Sequence, residues 1–380
     1  MRQIYLDYNA TTPIAPSVVE AMNPFLSGHY GNPSSSHSMG RAAKEAIEDA
    51  RVKLAGLLGC DRQEIIYTSG GTESNNLAIK GVMFQGQPGT GHLIISAIEH
   101  SAVVEPAKFL ERLGYEVSIV PCDENGFVHP SSVESAIRSN TRLVSIMHAN
   151  NEIGTIQPIR QIAEVCHGRG ILLHTDASQS VGKIPAFVDE LDVDLLTLAG
   201  HKIYGPKGIG VLFVREGVAI EPLMHGAAQE NGIRAGTENT PYIVGLGQAA
   251  HLAANCLDES AEAMTKLRDR LNDQLANAIP GLQVNGARVK RLPNTLSVVF
   301  PGVSGQEILQ RIPELCASTG SACHSRGLVA SHTLDAMGRS PQEMAGTVRL
   351  SIGWYSSEEE IDRASGLLID AWENLTVAAN

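Results

Sequence analysis

Leu198-Ala199-Gly200-His201-Lys202-Ile203-Tyr204-Gly205-Pro206-Lys207-Gly208 places a lysine between two glycine-rich turns directly after an apolar strand. Small residues on both sides let the backbone approach a ligand, and an amine at a strand end becomes a natural Schiff-base former once it is desolvated. Alone, the segment reads more readily as a surface lysine in a turn. Its weight comes from what lies upstream.

There, Leu172-Leu173-His174-Thr175-Asp176-Ala177-Ser178-Gln179 is a short apolar run ending in an acid, the strand-end position where α/β enzymes keep functional groups. A carboxylate at Asp176 can face a ring nitrogen and keep a pyridinium electron-poor, which is how pyridoxal phosphate becomes an electron sink. Further upstream, Ile65-Ile66-Tyr67-Thr68-Ser69-Gly70-Gly71-Thr72-Glu73-Ser74-Asn75-Asn76 reads as a strand, a glycine turn and a helix start. Backbone amides at that helix N-terminus, from Gly71 onward and joined by the Thr72 hydroxyl, suit a phosphate. Glycine turn, strand-end acid and lysine follow in the order expected of a pyridoxal phosphate enzyme with the aspartate aminotransferase fold.

With those residues in view, the chain resembles the cysteine desulfurase and selenocysteine lyase family of the class V aminotransferase group. The likeness runs nearly end to end. Further segments that carry it are Tyr5-Leu6-Asp7-Tyr8-Asn9-Ala10-Thr11-Thr12-Pro13, Gly31-Asn32-Pro33-Ser34-Ser35, Glu99-His100, Asn150-Asn151-Glu152-Ile153-Gly154, Gly320-Ser321-Ala322-Cys323 and Arg349-Leu350-Ser351-Ile352-Gly353. It implies an α/β fold: a large domain with a mostly parallel seven-stranded sheet flanked by helices, plus a smaller α+β domain.

Composition agrees with a globular chain of that kind. The 380 residues are 43% hydrophobic and 18% charged, enough for a sizeable core. A formal charge of −12 without a basic run argues against nucleic acid or an anionic membrane as the main partner. The sequence shows no signal-like apolar segment near Met1 and no stretch approaching the roughly 18 apolar residues of a membrane helix, so a cytoplasmic location is expected. Cysteines at 60, 122, 166, 256, 316 and 323 form no Cys-x-x-Cys pair, so neither a metal site nor a disulfide framework is indicated.

Apolar runs at 93–95, 117–120, 143–147, 171–174 and 211–214 alternate with helical stretches such as 159–169, which predicts βα units. From about Tyr242 the pattern becomes one long Ala-, Leu- and charge-rich helix running to Ile279. The expected division is 15–255 for the cofactor-binding domain, with 1–14 and 256–380 forming the small domain that carries Cys323. That cysteine sits in Ser318-Thr319-Gly320-Ser321-Ala322-Cys323-His324-Ser325-Arg326-Gly327-Leu328, a small polar run too poor in apolar residues for a core element. Its thiol is therefore expected to be accessible, with His324 and Arg326 as candidates to favour the thiolate.

The resemblance assigns roles residue by residue. Lys202 would hold pyridoxal 5'-phosphate and move protons at the substrate Cα, and His100 would stack on the ring and serve in proton transfer. Asp176 would pair with the ring nitrogen and Gln179 with the ring hydroxyl. Gly71, Thr72 and His201 would bind the phosphate, joined by Thr237 from a second subunit, which implies a homodimer with shared active sites. Asn9, Asn151 and Arg349 would fix the amino-acid substrate, Arg349 by a bidentate grip on the α-carboxylate. Cys323, on a loop long enough to visit first the cofactor and then an acceptor protein, would take sulfur as a persulfide or assist departure of selenium.

Departures from the family pattern are Ala199, where desulfurases often carry a phosphate-binding serine, and Gly226-Ala227-Ala228 in place of a Gly-Gly-Gly turn. Gly236-Thr237-Glu238-Asn239-Thr240-Pro241, Arg291-Leu292-Pro293-Asn294-Thr295 and Ala322-Cys323-His324-Ser325 look more like selenocysteine lyases. The expected function is removal of selenium or sulfur from L-selenocysteine or L-cysteine to give L-alanine. A desulfurase that delivers persulfide sulfur to a protein acceptor is the compatible alternative, and a transamination the remaining one.

Overall fold

The computed structural model describes residues 3–319, 321–324 and 327–379, with backbone alone for 321–324, 327–330 and 378–379. A two-residue strand, β1 (Ile4–Tyr5), starts the chain and pairs in parallel with Leu315–Cys316. The main sheet follows: β2 (Ile65–Thr68), β3 (His92–Ser96), β4 (Glu116–Val120), β5 (Thr141–Ser145), β6 (Leu172–Asp176), β7 (Leu195–Ala199) and β8 (Gly210–Val214). Their spatial order is β2-β8-β7-β6-β5-β3-β4, and only β8 runs against its neighbours. Six parallel strands therefore end on one edge, and β7 reaches β8 through a short connection that contains Lys202.

The sheet is covered on both faces, so its inner strands are continuous apolar runs rather than alternating ones. All five residues of β7 and all five of β8 are buried. Successive side chains still divide between faces: Leu195, Leu143 and Leu212 join one cluster, while Leu196, Val144 and Phe213 join the other. At the edge, β4 exposes Glu116 and Ile119.

Helices α1 (Pro16–Ser27), α2 (Ser38–Leu58), α3 (Gly71–Met83) and α4 (Ser101–Arg112) precede or connect the strands. In α4, Val103, Ala107 and Leu110 are buried at the spacing of one helical face. The expected single helix from Tyr242 to Ile279 is two, Thr240–Asn255 and Leu257–Ala278, broken at Cys256. The reason is a change of core. Ile243, Leu246, Ala250 and Ala253 pack with the main sheet, whereas Met264, Leu271 and Leu275 pack with Leu296, Val298, Phe300, Val348 and Leu350. The first of these helices lies so close to α2 that a Cβ at Gly247 would stand 2.5 Å from the Cβ of Ala50.

The second core covers an antiparallel sheet in the order β12-β15-β10-β9, where β9 is Gln283–Val284, β10 is Thr295–Val299, β12 is Ser318–Thr319 and β15 is Thr347–Ser351. Leu315–Cys316 (β11), the partner of β1, immediately precedes β12. Beyond it, Ser321–His324 (β13) pairs with Gly327–Ala330 (β14), setting Cys323 opposite Leu328. The side chains of Cys323 and His324, and all of Arg326, lie outside the described residues.

Candidate active site

Ends of parallel strands in one sheet point at one crevice, so residues remote in sequence converge there. Here β2 leads into Gly71 and Thr72, β3 into Glu99 and His100, β5 into Met147 and Asn151, β6 ends at Asp176, and β7 leads into His201 and Lys202. All of these but the fully buried Glu99 line, together with Asn9, Asn75, Gln179 and Arg349, a cavity of about 370 Å³.

Asp176 lies on its floor, 7% exposed. Asn75 Nδ2 donates to its Oδ2 at 2.7 Å and the Ser178 backbone N–H donates to its Oδ1 at 3.0 Å. Only neutral donors reach this carboxylate, and it makes no ion pair among the described residues. A buried carboxylate is costly without a cationic partner, so the floor is built for a protonated nitrogen supplied by a ligand. That is what a pyridinium ring provides.

Lys202 stands across the cavity, its Nζ donating to the backbone carbonyl of Asn9 and, at 2.8 Å, to that of Ala10. Burial and then the Arg349 charge push its amine down to about 8, against the opposing pull of Asp176 and Asp7. An amine so placed is available as a nucleophile near neutral pH. His201 is held neutral, its pKa pushed down to about 4 by burial and by Lys202, Lys207 and Lys183. Its Nδ1 lies 3.1 Å from the Thr11 hydroxyl, and with Nδ1 accepting, Nε2–H is left as a donor. The first turn of α3 contributes the unpaired backbone N–H groups of a helix N-terminus. Gly71 has no room for more: a Cβ there would meet Ser178 Oγ at 3.2 Å and the Ala199 Cβ at 3.3 Å. The floor carboxylate, the amine and this anion seat fit pyridoxal phosphate end to end.

Arg349, on β15, closes the opposite end. It donates through Nη2 to Asp7 at 2.6 Å and Ser318 at 3.1 Å, and through Nη1 to the Asn151 carbonyl at 3.0 Å. Its buried Nε has no partner among the described residues. A guanidinium with an N–H to spare is the group that receives a carboxylate. Asn9, expected as a substrate contact, lines the cavity. Its amide is engaged by the Asn151 carbonyl, Thr295 and Asn294, and its backbone carbonyl accepts from Gln179 and Lys202.

His100 serves two ends at once. Its Nδ1 accepts from the Ala102 N–H at 3.1 Å, capping α4, while its ring lines the cavity. Thr237 is exposed and is not part of this cavity's wall in its own chain. The departures find physical accounts. Ala199 is buried against the Gly71 turn. Ala227 and Ala228 need no glycine, since the left-handed residues lie downstream at Glu230, Asn231 and Gly232. The strain of such a conformation, about 1–2 kcal/mol per residue, is offset at Glu230 by Arg51, which grips its carboxylate at 2.8 and 3.0 Å.

Sequence reasoning gave no role to several residues that shape the site. Asn75 and Asp7 stand in the quoted motifs, but their partners Asp176 and Arg349 are visible only in the fold. Glu99 is fully buried, and burial pushes its carboxyl up to about 8. Lys183 is buried behind Gln179.

The Aminotransferase class-V family model matches residues 4–364. The protein named Cysteine desulfurase IscS of Dictyoglomus turgidum is 49% identical over 364 residues, covering 95% of this chain and 92% of its own length. The Cysteine desulfurase IscS of Methanosarcina thermophila is 47% identical over 364 residues, with 95% and 90% covered. Among solved structures, a NifS-like protein superposes with a TM-score of 0.90 at 39% identity, covering 99% of this chain and all of that one. SspA in complex with cysteine superposes with a TM-score of 0.83 at 40% identity, over 93% of this chain and 99% of its own.

Proposed function

The chain belongs to the class-V aminotransferases and, within them, to the cysteine desulfurases, and from that premise we propose how its residues divide the work. It is a pyridoxal-phosphate-dependent enzyme that takes sulfur from L-cysteine to give L-alanine. The cofactor, when bound, supplies an electron sink that weakens the bonds at the substrate's Cα and Cβ.

Lys202 Nζ holds the cofactor and, once released, takes the proton from Cα. Asp176 holds the proton of the ring nitrogen, with Asn75 and the Ser178 N–H fixing the carboxylate. Gln179 donates to the ring hydroxyl, and His100 covers the ring face. Gly71, Thr72 and His201 seat the phosphate, and Thr237 of a second subunit completes that seat in a homodimer. Arg349 and Asn151 receive the α-carboxylate. The Cys323 thiolate attacks the substrate sulfur as the Cβ–S bond breaks, and keeps it as a persulfide for an acceptor protein. Residues 15–255 form the cofactor-binding domain, 1–14 and 256–380 the smaller one, and the enzyme works in the cytoplasm.

The observation that supports this reading most is the buried Asp176, without an ion pair among the described residues, across one cavity from a lysine whose amine is pushed down to about 8. Purified protein is expected to be yellow, with a visible band lost in Lys202→Ala. A colourless, active protein without the cofactor would sink the assignment. Cys323→Ala separates sulfur from selenium chemistry. It should abolish sulfide and persulfide release from cysteine, and retain part of the alanine formed from selenocysteine, because a selenol leaves with less help. Full retention on cysteine would remove Cys323 from the mechanism.

A further inference from the structure

Lys183 lies in the turn that follows β6, seven positions after Asp176. It is 5% exposed and makes no ion pair among the described residues. The cations that face it are Lys202 and Arg349, and burial with those two charges pushes its amine down to about 7. The neighbouring Gly182, left-handed at φ 75°, is packed so tightly that a Cβ would stand 2.9 Å from Ile203 Cγ2. An apolar side chain would fill this place without the cost of desolvating an amine. What the amine does there is donate to Gln179 Oε1 at 3.0 Å.

That bond decides which end of the Gln179 amide faces which neighbour. Gln179 Nε2 donates to the Asn9 carbonyl at 3.0 Å, the acceptor that Lys202 also uses. The Asn9 carbonyl only accepts, so a flipped amide would set oxygen against oxygen there and, against a protonated Lys183, donor against donor at the other end. We propose that Lys183 is a positioning residue: by holding Gln179 Oε1 it keeps the second N–H of Nε2, which has no other acceptor among the described residues, aimed at the cofactor's ring hydroxyl. The inference rests on the reading of the cavity given above. Lys183 touches neither cofactor nor substrate and acts through Gln179.

The test is the pH titration of the visible absorption band in cofactor-loaded protein, without substrate. Lys183→Met and Lys183→Ala are both made, so that a packing failure in one leaves the other, and each is compared with Gln179→Leu and with the double variant. A ring oxygen with one donor fewer keeps its proton more tightly. Each single variant should therefore raise the midpoint by about one pH unit, the scale of one hydrogen bond. The double variant should move no further than Gln179→Leu alone. Lys183→Gln, whose amide still donates, should restore the midpoint. If Gln179→Leu shifts the band and neither Lys183 variant does, Lys183 merely fills space and the inference falls, while the cavity reading stands. Full addition of the shifts in the double variant overturns it too, because Lys183 would then act without Gln179. If none of the variants moves the midpoint, the inference and the role given to Gln179 fall together.

Discussion

The two ends of the cavity are built by different means. At the floor, Asp176 ends β6 and Lys202 lies in the turn after β7, strands buried apart from Leu172 and paired through the main sheet, and every polar atom of the Asp176 carboxylate is matched by a fixed neutral donor. At the rim, Arg349 belongs to another sheet. It is tied to the N-terminal segment by Asp7, to β12 by Ser318 and to the Asn151 turn by one carbonyl, with Nε left over. The backbone of Arg349 is itself laddered to β10 and β12, so what can adjust at the rim is the guanidinium, held by polar contacts to separate segments. Chemistry is thus placed on the rigid end and substrate capture on the adaptable one.

That contrast breaks if floor and rim variants behave alike. The largest effect is expected from Lys202→Ala, which should lower alanine formation from cysteine by about a thousand-fold or more, since both the anchor and the base are lost. Asp176→Ala should cost about a hundred-fold or more in kcat with little change in KM, because the charge it supplies is needed only as the reaction proceeds. Arg349→Lys should instead raise KM by about ten- to a hundred-fold with a smaller change in kcat, lysine having no fork to match a carboxylate. Asp7→Asn, which loosens that fork, should raise KM less than about ten-fold. A kcat loss in Asp7→Asn equal to that of Asp176→Ala would show that the rim is as rigid as the floor.

The smallest effect is on stability and sharpens the picture of the floor from behind. His148, whose backbone N–H donates to the Asp176 carbonyl, is buried, and burial pushes its pKa down to about 4. Its folded value lies below the unfolded one of about 6.5, so the unfolded chain binds the proton first and the folded state loses ground as pH falls from 6.5 to 4. Relative to His148→Leu, wild-type protein should lose about 1–3 kcal/mol over that window in denaturant titrations. Parallel curves would mean that His148 is not buried in solution.

Legibility in the sequence follows the same division. The βα alternation and the glycine turn, strand-end acid and lysine could be read directly, because each is a local signal of a strand end with its turn. Arg349, Asn151 and Gln179 came only through resemblance, since nothing within a few residues of Arg349 says that Asp7 and Ser318 will meet it. Lys183 left no signal beyond a lysine beside Val181, Gly182 and Ile184. The break at Cys256 was missed because helix-forming residues continue across it, and only the exchange of one core for another ends the first helix.

The pairing of β1 with Leu315–Cys316 bears on when the enzyme comes into being. Asn9 and Ala10, whose carbonyls hold Lys202, come a few residues after a strand whose partner is made about 300 residues later. At ribosomal speeds of about 5–20 residues per second, that is a wait of tens of seconds, during which the main sheet and its glycine turn already have their sequence in hand. The lysine can therefore meet its cofactor before β1 has its partner, while the cradling segment is held only by its own bonds from Thr12 and Ala15 to the lysine turn. A nascent chain stopped before Leu315 should bind pyridoxal phosphate loosely and exchange it freely, and extension past Ser351 should trap it.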